Sequence, residues 1–174
     1  MNIRKPAVAG RFYPADRDEL TELIEYMIKR ENGKYKEEFY GREVIGGIVP
    51  HAGYVYSGGI ASHFFNLLKK SPQRIETVVI IAPSHTGYGA EIGCDDSDAW
   101  HTPFGDITVD KEFLINTGLE FSADAHKYEH SAEVMVPMIN YYFGDNIKIA
   151  PIIIKRQSLK NSVITACAVR NAVL

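Results

Sequence analysis

The 174-residue sequence has an ordinary composition for a globular protein, with 45% hydrophobic residues, 24% charged residues and a formal net charge of −3. It has no block of positive charge that would bind nucleic acid, no apolar run near the roughly 20 residues of a membrane span, and no secretory signal segment. We therefore expect a cytoplasmic protein folded as one domain over residues 1–174, with neither nucleic acid nor a membrane as its partner.

The N-terminal part of the chain predicts a docked arm followed by a helix. In the first 15 residues, Phe12 and Tyr13 pin the arm to the domain surface, or else Arg11 or Tyr13 lines a pocket. Asp16 has the position of an N-cap, and the apolar spacing after it predicts a helix over 16–30. This helix is expected to pack on the sheet.

A β-α-β unit is predicted next, and it brings two histidines together. Strands over 44–50 and 75–82 each end at a proline that is shortly followed by a histidine, His51 in one case and His85 in the other. A helix over 57–70, with the serine at its start as the cap, connects them. Because such crossovers are right-handed and their strands parallel, both histidines are expected at one edge of the sheet, over a crevice.

The remaining chain completes the predicted fold. Its expected elements are a short strand and an ordered loop within 94–105, a strand over 106–109, a helix from an Asp110 cap to about Asn116, a helix over 129–143, a strand over 147–154 and a helix over 158–172. These elements predict an α/β fold of three layers. Its central sheet is expected to be mainly parallel and to contain strands 44–50, 75–82 and 147–154.

His51 and His85 are candidate metal ligands. Neutral imidazole is the commonest transition-metal ligand, and two histidines with one carboxylate form the facial arrangement of non-haem Fe(II) enzymes. Zinc would also fit, and copper is possible. The alternative is two hydrogen-bonded polar residues at strand ends. Ser84 is not expected to be a nucleophile, because adjacent residues rarely form the required hydrogen bond and no acid is placed to orient His85.

A second cluster, Glu129-His130-Ser131-x-Glu133, is the other candidate for chemistry. On the predicted helix, Glu129 and Glu133 lie one turn apart on one face, and His130 could donate or accept a proton. The alternative is electrostatic, since carboxylates stabilise the positive end of a helix. The sequence contains no nucleotide-binding glycine motif, phosphate loop or nucleophile elbow.

Five motifs in order carry a resemblance to a known family. They are Arg4-Lys5-Pro6-Ala7-x-Ala9-Gly10-x-Phe12-Tyr13, Pro50-His51-Ala52-Gly53-Tyr54-Val55-Tyr56-Ser57-Gly58, Pro83-Ser84-His85, Thr102-Pro103-Phe104-Gly105 and Glu129-His130-Ser131-x-Glu133. Up to about Lys155 the chain closely resembles the Memo family. The resemblance implies a fold similar to class III extradiol dioxygenases (LigB-like), with non-haem iron held by His51 and His85. Microbial members are called AmmeMemoRadiSam system protein B, after the AMMECR-type and radical-SAM proteins with which they are associated.

The C-terminal residues depart from this resemblance. Family members continue through a further strand and a later residue that completes the metal site, whereas the sequence after Ser158 does not match that pattern. We therefore expect a shortened or frameshifted product that lacks the C-terminal part of the family fold. The sheet should then have an exposed edge, which a neighbouring chain covers in a homo-oligomer or which promotes aggregation.

Three functions remain open at this stage. The first is a metal-dependent oxidoreductase of the extradiol-dioxygenase type, with His51 and His85 as ligands and Glu129 or His130 assisting catalysis. The second is a module that binds a peptide or protein in the same pocket, and the third is an inactive relative. The expected pocket residues are Tyr54, Ser84, Trp100 and Glu133, with Tyr56 and Phe104 as further wall residues of the binding module. The sequence does not identify a small-molecule substrate.

Overall fold

The computed structural model describes residues 1–31 and 40–173, which form a mixed α/β fold with a curled central sheet. The strands are β1 (Ile3–Arg4), β2 (Thr77–Pro83), β3 (Ile92–Cys94), β4 (Ala99–Thr102), β5 (Gly105–Val109), β6 (Glu120–Phe121) and β7 (Lys148–Ile154). The α-helices are α1 (Arg17–Glu31), α2 (Gly59–Lys69), α3 (Lys111–Asn116), α4 (Ala123–His126), α5 (Val136–Phe143) and α6 (Leu159–Val173).

Strand β7 lies at the centre of the sheet. It pairs in parallel with β2 along its whole length, from Thr77 opposite Lys148 to Pro83 opposite Ile154. On its other side, β5 pairs in parallel with the first residues of β7, and β3 pairs antiparallel with the last. The order β1-β4-β5-β7-β3-β6 completes the sheet. Because β7 has neighbours on both sides, its apolar residues are almost entirely buried.

Several predicted elements are confirmed. Strands 75–82 and 147–154 correspond to β2 and β7, and helices 16–30 and 158–172 correspond to α1 and α6. The Asp16 carboxylate accepts hydrogen bonds from the backbone N–H groups of Asp18 and Glu19, as an N-cap does. The short strand β5 and helix α3 are also present where expected, and the side chain of Asp110 caps α3 by accepting from the backbone of Phe113.

The strand predicted over 44–50 is wrong. This segment belongs to no strand, and its Ile45 and Ile48 side chains are fully exposed. No β-α-β unit therefore forms between it and β2. The start of the following helix also differs, because a π-helical turn over Tyr54–Gly58 precedes α2 and the Ser57 hydroxyl donates to the carbonyl of Ala52 instead of capping a helix.

The helix predicted over 129–143 begins later than expected. Residues 129–132 are outside any helix, a 3-10 turn covers Glu133–Met135, and α5 begins at Val136. The reason is local, because the Glu129 carboxylate accepts from the backbone N–H groups of His130 and Ser131 and so holds the chain in a turn. Glu129 and Glu133 consequently do not share a helical face.

The sheet is mainly parallel, as predicted, but it also contains antiparallel pairings. Among the residues described, four strand pairings are parallel and two, β3 with β7 and β4 with β5, are antiparallel. In the same part of the chain β2 pairs only with β7, so one edge of β2 is open. None of the described helices is long and apolar enough to cross a membrane.

Candidate metal centre

His51 and His85 meet although the first of their predicted strands is absent. Their Nε2 atoms lie 3.4 Å apart, and their ring centroids are separated by 5.2 Å. His85 lies two residues after the end of β2, and the backbone N–H of the intervening Ser84 continues the ladder by donating to the carbonyl of Ile154. His51 precedes the π-helical turn. The position of His85 therefore follows from the sheet, whereas the position of His51 follows from loop packing.

The Glu129 carboxylate orients His85. Its Oε1 atom accepts from Nδ1 of His85 at 3.0 Å, and its Oε2 atom accepts from the backbone N–H groups of His85 and Thr86. Burial alone would raise the pKa of Glu129, but the N–H donors of Ser131, His85 and Thr86 and the His85 ring outweigh that effect and lower the pKa to about 2. The carboxylate is therefore ionised, and with Nδ1 as donor the Nε2 lone pair of His85 faces His51.

His130 brings a third imidazole to the same place. Its ring centroid lies 4.7 Å from that of His85 and 6.4 Å from that of His51. The Phe12 ring also packs on the His130 ring, with the two centroids 4.7 Å apart. Burial lowers the pKa of His130 and also that of His51, where the neighbouring imidazoles add to the effect. These two rings are therefore neutral near pH 7, which is the form that binds metals.

The spacing of His51 and His85 suits two ligands of one metal ion. Two nitrogens bound to one tetrahedral metal at about 2.0–2.1 Å lie roughly 3.4 Å apart, and the centroids of their rings lie on the order of 5 Å apart. The Nε2 separation of His51 and His85 matches the first value, and the centroid distances of 5.2 Å for His51–His85 and 4.7 Å for His85–His130 are close to the second, whereas the His51–His130 distance of 6.4 Å is longer. The donor set is nitrogen-rich and suits zinc, iron or copper better than magnesium or calcium.

Another grouping leaves out His51 and includes a carboxylate. Donor atoms of His85, Glu129 and His130 lie within 4.8 Å of one another. Both oxygens of Glu129 are already occupied by hydrogen-bond donors, three on Oε1 and two on Oε2. We therefore favour His51 and His85 as metal donors and regard Glu129 as the carboxylate that holds the outer nitrogen of His85.

The other carboxylate of the Glu129–Glu133 cluster has a different role. Glu133 is buried and forms an ion pair with Arg4, whose Nη1 lies 2.8 Å from its Oε2. It also accepts from the backbone N–H groups of Ala7 and Val8 and from the Tyr13 hydroxyl. Glu133 thus binds the N-terminal arm. Arg4 was not a candidate from the sequence, and only its inclusion in the first motif pointed to it.

The remaining predicted pocket residues are distributed between core and surface. Tyr54 is buried, and its hydroxyl donates to the carbonyl of Val134. Trp100 is buried under the Arg4 guanidinium. Ser84 lies beside His85 and accepts from the backbone of Gly87, while Tyr56 is exposed. The structure therefore does not assemble Tyr54 and Trp100 into an open pocket wall.

The comparisons with known proteins give matches to the same family. A family model described as Memo-like protein matches residues 4–173. A MEMO1 family protein of Pyrobaculum arsenaticum is 40% identical over 180 residues, which cover 99% of this chain and 63% of that protein. One from Methanococcoides burtonii is 41% identical over 98% of this chain and 62% of its own length. One from Pyrobaculum aerophilum is 43% identical over 93% of this chain and 59% of its own length.

Two facts about coverage follow from these matches. The family match extends to residue 173, so the expectation that the resemblance stops near Lys155 is wrong. The α6 residues that carried no recognisable motif nevertheless belong to the matched region. The chain spans less than two thirds of the length of the relatives compared, namely 63%, 62% and 59%.

Proposed function

Since this chain belongs to the Memo-like protein family, we propose that it is a metalloprotein in which His51 and His85 bind one metal ion. The observation that carries the proposal is the 3.4 Å separation of their Nε2 atoms. Iron is the metal we favour, with zinc or copper as alternatives. We also propose that the α/β fold has three layers and is similar to that of class III extradiol dioxygenases.

The roles of the surrounding residues follow from their contacts. Glu129 keeps the Nδ1 proton of His85 in place, which leaves Nε2 free to bind the metal. His130 is neutral, half-buried and next to both rings, so it serves either as a third ligand or as the group that accepts and releases a proton. A bound iron ion would supply positions for O₂ and an oxidisable ligand. We propose an oxidoreductase on this basis.

A binding module remains the alternative from another functional class. It would use the same crevice for a peptide, and association with AMMECR-type or radical-SAM proteins remains a prediction from the family resemblance. Of its proposed wall residues, Tyr54 and Trp100 are buried and only Tyr56 is largely exposed. The geometry therefore gives this alternative less support than the metal site.

The test is metal binding by the purified chain. We expect one Fe²⁺, Zn²⁺ or Cu²⁺ ion per chain, removable by a chelator because only His51 and His85 are assigned as ligands. The double variant His51→Ala, His85→Ala should lose the ion. His101→Ala is the matched control, because His101 is an exposed histidine that also faces a carboxylate, that of Asp106.

Three outcomes separate the alternatives. Metal content that is identical in the double variant would refute the assignment of His51 and His85. Peptide or protein binding that is unchanged by chelation would favour the binding module. Oxygen consumption that requires both the metal and an added reductant or phenolic compound would favour the oxidoreductase.

A further inference from the structure

The buried ion pair between Arg4 and Glu133 is connected to all three imidazoles. We propose that this pair positions the histidine site, with Glu133 and Arg4 acting through the N-terminal arm and through Glu129. Only one part of the test below, the measurement of metal affinity, rests on the proposed metal function. The connections follow two routes, one through each partner of the pair.

The Glu133 route leads through the arm to His130 and His51. The Glu133 side chain is 3% exposed and holds Ala7, Val8 and Tyr13 by hydrogen bonds of 2.8–3.0 Å. This fixes the turn that ends in Phe12, whose ring packs on that of His130. The carbonyl of Phe12 accepts from the backbone N–H of Tyr54 at 2.7 Å.

The same turn also contacts the loop that carries His51. A Cβ added to Gly53 would lie 3.3 Å from the Phe12 carbonyl oxygen, so this loop and the arm are in close contact. Phe12 therefore touches the His130 ring through its side chain and the His51 loop through its backbone. A shift of the arm would move both imidazoles.

The Arg4 route leads to His85. The Nη2 group of Arg4 donates to the carbonyl of Glu129 at 2.7 Å, and its Nε donates to the carbonyl of His126 at 2.9 Å. The guanidinium also stacks over Trp100, 4.1 Å from the ring centroid. Arg4 thus fixes the backbone of Glu129, whose carboxylate orients His85. Such outer contacts commonly change metal affinity by about 10- to 100-fold when they are removed.

The experiment compares Tyr13→Phe and Glu133→Gln with Leu114→Ala. Tyr13→Phe removes one hydroxyl and is the milder change, so it keeps the test decisive if Glu133→Gln fails to fold. Leu114 is a buried residue of α3 that makes none of the arm contacts described above, so Leu114→Ala is a control for lost stability alone. The readouts are Co²⁺ affinity, the visible spectrum of the bound Co²⁺, and nuclear Overhauser effects between the Phe12 and His130 rings in the metal-free chain.

We expect Tyr13→Phe and Glu133→Gln, here called the arm variants, to weaken Co²⁺ binding by about tenfold or more. Both should also change the Co²⁺ spectrum and lose the contact between the Phe12 and His130 rings. Leu114→Ala should keep the affinity and the ring contact at temperatures well below its melting point. Arm variants that keep the ring contact, or that lose no more affinity than Leu114→Ala, would overturn the proposal. If the unmodified chain binds no Co²⁺, the metal function fails, and the ring contact still decides the positioning role.

Discussion

The Oε1 atom of Glu129 lies 3.0 Å from Nδ1 of His85, although 44 positions separate the two residues in the chain. This contact fixes which nitrogen of His85 carries the proton. The same carboxylate accepts from backbone N–H groups on both sides, at residues 85–86 and 130–131, and thus joins two loops. The orientation of His85 therefore depends on one ionised side chain.

Replacing Glu129 by Gln should weaken metal binding. Glutamine keeps the size of the side chain, but its amide nitrogen cannot accept from the backbone N–H groups or from Nδ1 of His85. We expect a loss of metal affinity of about 10- to 100-fold, measured by competition with a chromophoric chelator. The control is Asp106→Asn, which changes the exposed carboxylate beside His101. Equal affinities for Glu129→Gln and the unmodified chain would contradict the orienting role.

Metal affinity should fall in acid. A protonated imidazole cannot bind a metal, and burial lowers the pKa values of His51 and His130 below the ordinary value near 6.5. The affinity should therefore stay constant above about pH 6.5 and decline below it, as protons compete for the same nitrogens. Isothermal titration with Zn²⁺ between pH 5 and 7.5 measures this change. An affinity that is independent of pH across this range would exclude imidazole ligands.

Stability should also decrease in acid, because of a histidine that lies outside the candidate metal centre. His126 is buried, and burial lowers its pKa although the nearby Asp95 opposes this. Because the folded-state pKa is lowered, the unfolded chain binds a proton first, and stability declines as the pH falls below about 6.5. His126→Gln should flatten the pH dependence of the unfolding free energy, measured by urea denaturation. An equally steep profile for His126→Gln would refute this assignment.

The chain should associate with itself through its exposed apolar segment. Ile45 and Ile48 are fully exposed, and one edge of β2 is open within the described residues. Exposed β-prone segments and open edges promote pairing between chains. We expect concentration-dependent oligomers in sedimentation velocity, and fewer of them for Ile45→Thr, Ile48→Thr than for Ile115→Thr, which changes an exposed isoleucine of α3. A soluble monomer at all concentrations would contradict the prediction.

How much of this structure the sequence predicts depends on how far apart in the chain the interacting residues lie. Strand β7 is predictable because its continuous apolar run indicates a strand buried on both faces, and helix α1 is predictable because its apolar spacing indicates one buried face. The segment 44–50 has the same apolar character as β7, yet it forms no ladder. A strand needs a partner with free N–H and C=O groups as well as suitable residues, and periodicity does not report the partner.

The candidate site shows the same limit. The proline and histidine at the end of β2 are visible in the sequence, and they place His85 where a ligand is expected. The partners of Glu129 and Glu133 are not visible, because carboxylates at the start of a predicted helix have a sufficient local explanation. The contact between Glu133 and Arg4 spans 129 positions, and no local pattern reports such a contact.

That separation also affects the order in which the protein is made. Arg4 is synthesised 129 residues before its carboxylate partner. At a translation rate of about 5–20 residues per second, several seconds pass between the synthesis of the arm and the synthesis of the carboxylate that binds it. His51 and His85 emerge within that interval, before Glu129 and Glu133 exist. The nascent chain therefore carries two loosely held histidines, and an ordered arrangement of the imidazoles is a late event in biosynthesis.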